Sequence, residues 1–253
     1  MSPEIIRRYS FAIVSHLALI AIWYLVVVNA HIPSFIMPTP VATVATLGGA
    51  NYGWISNTLV TASEIFGGYF LAVIVGVFIA IVFSWSSTAE DAVMPLLVSL
   101  NMIPKVALGP LFIVWFSYGI MPNMIIAFSI SFFPILLNTA RGFREVEPDL
   151  LELVRSLRSS KWQTFVKIQL PSALPYIFSG MKVGAILAVA GAIVGEFLGS
   201  SRGLGYLMLQ VQTTLDTAAM FMAVILITLL GVVLYGLVLG LERLMIVRDA
   251  RVR

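Results

Sequence analysis

The 253-residue chain is 60% hydrophobic and only 11% charged, with a mean hydropathy of +1.01. Soluble domains carry about 25% charged residues, so this composition predicts an integral membrane protein and excludes an ordinary soluble enzyme. The absence of cysteine excludes disulfides, iron–sulfur clusters and a thiol nucleophile, and two histidines are too few for a typical metal site. The formal charge of +3 sits at the ends of apolar runs, which indicates topology rather than a nucleic-acid partner.

The first half of the chain contains two apolar runs of membrane-spanning length. Residues 11–28 predict an uncleaved first transmembrane helix, because the apolar core of a signal peptide is only about 7–15 residues long. Pro33, Pro38 and Pro40 then forbid one continuous helix, and a second span is predicted at about residues 59–85.

The middle of the chain holds an uncharged run, residues 106–140, that is too long for one span. A single helix of this length would reach about 52 Å, against a hydrocarbon core of about 30 Å. The run must therefore fold back, and the turn at 119–123 separates predicted spans of about 92–117 and 122–140. Internal prolines predict that the earlier of these spans is bent or locally unwound near its middle.

The second half predicts a fifth span at about residues 174–197 and a sixth at about 218–241. The segment 199–205 between them is rich in glycine but lacks the lysine of a phosphate-binding loop, so it is interpreted as a turn. No catalytic constellation is evident, and the chain is predicted not to be an enzyme.

Basic residues fall on one side of this six-span layout. With the N-terminus in the cytoplasm, the outer loops contain Arg202 alone, an asymmetry that indicates orientation. The fold class is therefore predicted as all-α, with both termini and the segment 146–171 in the cytoplasm. The inner segments hold Arg7, Arg8, Arg141, Arg144, Arg155, Arg158, Lys161, Lys167, Arg243, Arg248, Arg251 and Arg253.

The cytoplasmic segment between the fourth and fifth spans predicts two short helices. Pro148 suits a first helical position, and hydrophobic residues recur at helical spacing up to Leu157. Ser159 and Ser160 are candidate caps for a second helix beginning at Lys161, which we expect Pro171 to close. Two helices with an apolar face and basic shoulders predict a knob for a groove in a soluble partner.

This segment resembles the cytoplasmic motif E-A-A-x3-G-x9-I-x-L-P of permease subunits of bacterial ABC importers. Glu152, Ile168 and Leu170-Pro171 match at the correct spacing, whereas Leu153 and Val154 replace the two alanines. Arg158 replaces the glycine, and a left-handed arginine would cost on the order of 1 kcal/mol. Segments at 38–40, 103–116 and 195–206 extend the resemblance, within those importers, to the nitrate/sulfonate/taurine branch.

The resemblance implies a type I importer permease in the bacterial inner membrane, working with several partners. These are two ATPase subunits that bind ATP and Mg²⁺, a second permease copy, most simply in a homodimer, and an extracytoplasmic binding protein. This chain itself is expected to bind no cofactor and no metal. The implied ATPase-coupling residues are Pro148, Leu151, Glu152, Leu153, Arg155, Ser156, Leu157, Arg158, Ile168, Leu170 and Pro171.

Candidates for the substrate pathway come from charged and small residues at membrane depth. They are Lys105, Trp115, Glu196, Gly191 and Gly195. A structural role for Lys105 also stays open. The glycine spacing fits ordinary helix packing, a helix that lines a tight pathway, or a helix that meets its copy in a dimer. The alternative function is a self-sufficient ion-coupled transporter or channel. Its ion site would use Lys105, Lys182, Glu64 and Glu196. Relatives of this branch handle nitrate, bicarbonate, sulfonates or vitamin precursors, and the sequence does not select among them.

Overall fold

The computed structural model describes residues 3–246, which fold into eleven α-helices without a β-strand. The helices are α1 (Pro3–Asn29), α2 (Pro40–Ala45), α3 (Trp54–Trp85), α4 (Ser87–Asn101), α5 (Lys105–Phe116), α6 (Ile120–Arg144), α7 (Pro148–Ser156), α8 (Lys161–Thr164), α9 (Leu170–Gly199), α10 (Leu204–Gln212) and α11 (Thr217–Met245). Short 3₁₀ turns lie at Thr46–Gly48 and Ala50–Tyr52, and a π-helical turn lies at Phe165–Gln169. The basic tail predicted from Arg248, Arg251 and Arg253 lies outside the described residues.

The centre of the bundle is the packing of α6 against α3 on one side and α9 on the other. Small residues allow this close approach: a Cβ built on Gly191 of α9 would lie 2.7 Å from Ala127 Cα of α6. Ile65 and Ile135 fill the contact and are fully buried. Large side chains such as Phe70 and Phe78 point outward, as expected for helices that face lipid.

The predicted spans are recovered as helices, although their number is not settled by length and composition. Within the described residues, four helical segments are long and apolar enough to cross a membrane, namely α3, α6, Lys161–Gly199 and α11. The pair α4 and α5 qualifies as a fifth when taken together, and it is bent by 92°. This bend confirms the prediction made from the internal prolines. Helix α1 contributes a shorter apolar segment, Ile13–Asn29, so six spans stay a prediction.

The helix predicted to close at Pro171 does not end there. Helix α8, the π turn and α9 form one continuous element from Lys161 to Gly199, and both Pro171 and Pro175 lie within it. Proline lacks an N–H, and the wide turn before it accommodates this loss, since Leu170 N–H bonds to Phe165 O five residues back. The expectation that Pro171 terminates a short helix was therefore wrong, and the helix that contains the predicted fifth span begins at Lys161.

Two ends of the bundle are named for their short helices. The α7 end contains α7, α8 and the C-termini of α3 and α6, joined by an aromatic cluster around Phe165. The α10 end contains α10, the N-termini of α3 and α6, and the C-terminus of α9. These two ends carry the features that bear on function.

Candidate functional site

Helix α7 presents an apolar surface that the rest of the described chain leaves uncovered. Leu153 is 55% exposed and Leu157 72% exposed, and Glu152 is also exposed. Exposed leucines on a short helix at the end of a membrane bundle indicate a contact with another protein. The predicted amphipathic helix therefore exists and is available to a partner.

The end of α7 explains why the importer motif has glycine at the position of Arg158. Arg158 adopts φ +53°, the left-handed conformation, and the following Ser159 N–H bonds to Val154 O at 3.1 Å. This six-to-one bond is the Schellman arrangement, in which the left-handed residue is usually glycine. The turn is thus retained with arginine in the strained position, which resolves the doubt that the missing motif glycine had raised.

Helix α8 begins with the cap predicted from sequence. Ser160 Oγ accepts from Gln163 N–H at 3.2 Å, and Ser160 N–H donates to Gln163 Oε1 at 3.0 Å, a reciprocal capping box. The remaining predicted coupling residues fall on the same stretch. Pro148, Leu151, Arg155 and Ser156 lie on α7, Ile168 lies in the π turn, and Leu170 and Pro171 begin α9.

An aromatic cluster fixes this stretch to the bundle. Phe165 is buried, and its ring centroid lies 5.5 Å from that of Trp85 on α3 and 5.7 Å from that of Phe143 on α6. Trp162 stacks on the same ring at 5.9 Å. These contacts join α8 and the π turn after it to the ends of two core helices, α3 and α6.

An ion pair ties the same end of the bundle together. The Arg144 guanidinium of α6 contacts the Glu90 carboxylate of α4, and Arg144 Nε donates to Glu90 Oε2 at 3.2 Å. Glu90 is 7% exposed, so the pair is partly desolvated. Sequence analysis did not identify this link, because the partners are separated by 54 positions.

The α10 end is built around the buried carboxylate of Glu196. Its Oε1 accepts from the Thr61 hydroxyl at 2.5 Å, and its Oε2 accepts from the N–H groups of Gly205 at 2.5 Å and Tyr206 at 3.1 Å. Thr61 Oγ1 in turn accepts from Leu204 N–H at 2.8 Å. Glu196 therefore connects α9 both to α3 and to the first turn of α10.

The loop before α10 wraps closely around this carboxylate. Gly203 has φ +116°, and a Cβ at that position would collide with the Glu196 carboxyl group. Gly203 N–H donates to Asn57 Oδ1 on α3 at 2.9 Å. The glycine-rich segment is thus the turn that was predicted, and Gly203 is required there by the close approach of the backbone to Glu196.

A second buried carboxyl group, that of Glu64, lies beside Glu196. Glu64 is fully buried, and its Oε1 accepts from Asn123 Nδ2 of α6 at 2.8 Å. Glu64 lies one turn along α3 from Thr61, whose hydroxyl donates to Glu196. Sequence analysis identified both acids as costly residues inside spans. It did not pair them, since nothing in the local pattern indicates that positions 64 and 196 meet.

The remaining pathway candidates occupy different environments. The Lys105 ammonium donates to Asn101 O and to Leu100 O, so it caps the C-terminus of α4 at the bend. Trp115 on α5 is 61% exposed. Gly191 and Gly195 are buried against α6. Lys105 therefore lies at the bend between α4 and α5, whereas Glu196 lies at the α10 end.

The amino-acid sequence of this chain matches that of a known protein family. The family described as "Binding-protein-dependent transport system inner membrane component" matches residues 72–247, more than half of the chain. The chain is 31% identical to the formylaminopyrimidine transport permease protein ThiX of Halalkalibacterium halodurans, over 84% of this chain and 85% of that protein. It is 33% identical to the riboflavin transport system permease protein RibX of Chloroflexus aurantiacus, over 92% and 88% of the two chains.

A third relative agrees with this assignment, and a solved structure has a similar fold. The chain is 31% identical to the putative aliphatic sulfonates transport permease protein SsuC of Bacillus subtilis, over 89% of this chain and 82% of that protein. The fold is similar to a chain of the MetNI methionine ABC transporter in an inward-facing conformation, with a TM-score of 0.56. That likeness covers 73% of this chain and 94% of the other at 18% identity, and it concerns the fold alone.

Proposed function

The chain belongs to the inner membrane components of binding-protein-dependent transport systems, and on this premise we propose that it imports a small polar substrate. As a permease of an ABC transport system, it supplies the membrane passage and is not itself catalytic. ATP and Mg²⁺ would be bound by two ATPase subunits, and an extracytoplasmic binding protein would deliver the substrate. Two copies of the chain would form one pathway as a homodimer in the bacterial inner membrane.

The α7 end is the proposed docking site for the ATPase subunits. The single observation that carries this proposal is the exposed apolar face of α7, where Leu153 and Leu157 extend beside Glu152. The importer motif falls on the same residues, and the Schellman turn supplies the local geometry for which the motif glycine is suited. ATP-driven closure of the ATPase pair would draw the two α7 helices together and switch the permeases between inward- and outward-facing states.

This role sets the proposed topology. Docking to cytoplasmic ATPases requires the α7 end to face the cytoplasm, which agrees with the excess of basic residues predicted on that side. The α10 end would then face the binding protein. With α1 counted as a span, six transmembrane helices would place both termini in the cytoplasm.

The substrate class is proposed from the relatives. Their names refer to formylaminopyrimidine, riboflavin, aliphatic sulfonates and bicarbonate, which are all small and polar. For the pathway we retain Lys105, Trp115, Glu196, Gly191 and Gly195 as candidates. Of these, the exposed Trp115 has the least structural role within one chain, and it is the first to test by substitution.

The test of this function is a charge reversal on α7 in the assembled transporter. Glu152→Lys is expected to leave the permease in the membrane but to abolish co-purification of the ATPase and ATP-dependent uptake. The matched control is Asp91→Lys, a charge reversal at an exposed position of α4 on the same end of the bundle, which should leave both intact. Unchanged assembly and uptake with Glu152→Lys would overturn the docking assignment. Uptake by the chain alone without ATP would instead support the ion-coupled transporter.

A further inference from the structure

The paired carboxyl groups of Glu64 and Glu196 are buried without a compensating cation in the described residues. Glu64 is fully buried and Glu196 is 1% exposed. The cations on the packed elements are engaged elsewhere or exposed: Lys105 caps α4, Lys182 pairs with Glu242, and Arg202 lies on the surface. Two adjacent carboxylates in such a site cannot both stay ionised, because their repulsion adds to the cost of burying each charge.

The hydroxyl groups of the neighbouring tyrosines have other hydrogen-bond partners or are exposed, and they do not neutralise the pair. Tyr69 on α3 donates to Met181 O, the Tyr206 hydroxyl accepts from Gln210 Nε2, and the Tyr52 hydroxyl donates to Asp216. Tyr118, beside the end of α9, is 73% exposed. None of these surrounding titratable groups therefore neutralises the charge of Glu64 or Glu196.

The hydrogen-bond donors distinguish the two acids. Glu196 receives three donors distributed over both of its oxygens, which is the environment of an ionised carboxylate. Glu64 receives one donor, from Asn123, on Oε1. Its Oε2 is buried without a donor in the described residues. A buried carboxyl oxygen that no group donates to is the atom best placed to carry a proton and to donate it.

We propose that one proton is bound between these carboxyl groups, carried by Glu64 Oε2 and donated to Glu196, and that it belongs to a latch holding α10 closed. The latch consists of Glu196 with the backbone N–H groups of Gly205 and Tyr206, braced by Thr61 and Asn123. Loss of the proton to water leaves two adjacent carboxylates, whose repulsion draws water in and releases the loop. Closure of the α10 end and binding of the proton are therefore linked, and alkaline pH favours the open end.

The protonation state is tested by infrared spectroscopy of the purified transporter in lipid. The spectrum near neutral pH is expected to contain the C=O stretch of a protonated carboxyl group, which Glu64→Gln removes. Glu90→Gln is the matched control, because Glu90 forms an ion pair with Arg144 away from the Glu64–Glu196 pair, so the band should persist in that variant. Persistence of the band in Glu64→Gln, or its absence from the unmodified protein, would overturn the proposal.

The latch itself is tested by thiol labelling, which the absence of native cysteine makes clean. Leu204 is fully buried under the loop, so Leu204→Cys should react with a membrane-impermeant maleimide only when the loop lifts. The labelling rate is normalised to that of the exposed control Ser201→Cys. When Glu64 is present, the normalised rate should rise several-fold with pH. With Glu64→Gln it should not change with pH, because the amide replaces the protonated carboxyl group. Equal pH dependence in both backgrounds would refute the latch.

A second labelling position guards against a folding defect of the first. Val211 on α10 is 7% exposed, and Val211→Cys should give the same contrast between the two backgrounds. The role of α10 in transport rests on the proposed function, whereas the infrared band does not. A protein that keeps the band but shows no ATP-dependent uptake would therefore refute the proposed function and leave the proton site standing.

Discussion

The hydroxyl group of Thr61 offers the sharpest test of how the α10 end is held together. Thr61 is fully buried, donates to Glu196 Oε1 at 2.5 Å, and accepts from Leu204 N–H at 2.8 Å. Thr61→Val keeps the shape of the side chain but removes both bonds. Losing a hydrogen bond to a charged group costs about 1.5–3 kcal/mol, and the orphaned N–H costs about 1–3 kcal/mol more.

The expected result is a loss of about 2.5–6 kcal/mol of stability, since both terms apply to one buried site. For a chain of this size the midpoint of thermal unfolding in detergent should fall by on the order of 10 °C. Thr61→Ser is the control: it retains the hydroxyl and loses one buried methyl group, for a cost of about 1 kcal/mol. If the valine and serine variants melted together, the hydroxyl would not be bonded as described.

A double-mutant cycle separates this network from general damage to the core. In a Glu196→Ala background one acceptor of the Thr61 hydroxyl is already missing, so Thr61→Val should cost less than it does in the unmodified chain. The difference is the coupling energy of the pair, for which about 0.5–3 kcal/mol is usual between residues in contact. Additive costs would indicate that Thr61 and Glu196 act independently.

Three further substitutions have outcomes fixed by local geometry. Arg158→Gly should stabilise the α7 end by about 0.5–1 kcal/mol. Relief of the left-handed strain, about 1–2 kcal/mol, exceeds the conformational entropy cost of glycine. Comparison of the thermal unfolding midpoints of the two proteins tests this. Gly191→Val should prevent correct folding, because even the added Cβ would lie 2.7 Å from Ala127 Cα. Size-exclusion chromatography of the purified variant measures this. Tyr52→Phe should cost about 1 kcal/mol at neutral pH. The hydrogen bond to Asp216 and burial raise the pKa of Tyr52, so its contribution is complete below about pH 10 and declines at higher pH.

Much of the fold could be predicted from local sequence patterns. Runs of apolar residues located the long helices, and the charge-free stretch required a turn at the point where α6 begins. The proline content predicted the bend between α4 and α5. These features depend on residues close in sequence, which is why they could be predicted. The left-handed conformation of Arg158 was not predicted, because the loss of the motif glycine left the turn in doubt.

Contacts between distant residues could not be predicted in the same way. Thr61 and Glu196 are 135 positions apart, and no periodicity indicates that they share a site. The glycine spacing of α9 was compatible with a pathway or with packing, and the structure places Gly191 and Gly195 against α6. Proline usually marks a helix boundary because it lacks an N–H, so the sequence predicted that a helix ends at Pro171. The helix continues because a π turn precedes Pro171, and no sequence pattern indicates that turn.

The continuous helix from Lys161 to Gly199 places the two functional ends on one element. Its 39 residues extend about 58 Å at 1.5 Å per residue, enough to join α8 to the turn that holds α10. The π turn and two prolines are confined to its first part, where bending is cheapest, whereas the glycines beyond them pack directly on α6. A displacement applied at α7 should therefore bend the element near Pro171 and move the rest of α9 together with α6. Because Glu196 lies on that rigid part, the carboxyl pair at the α10 end is placed to respond to events at the α7 end.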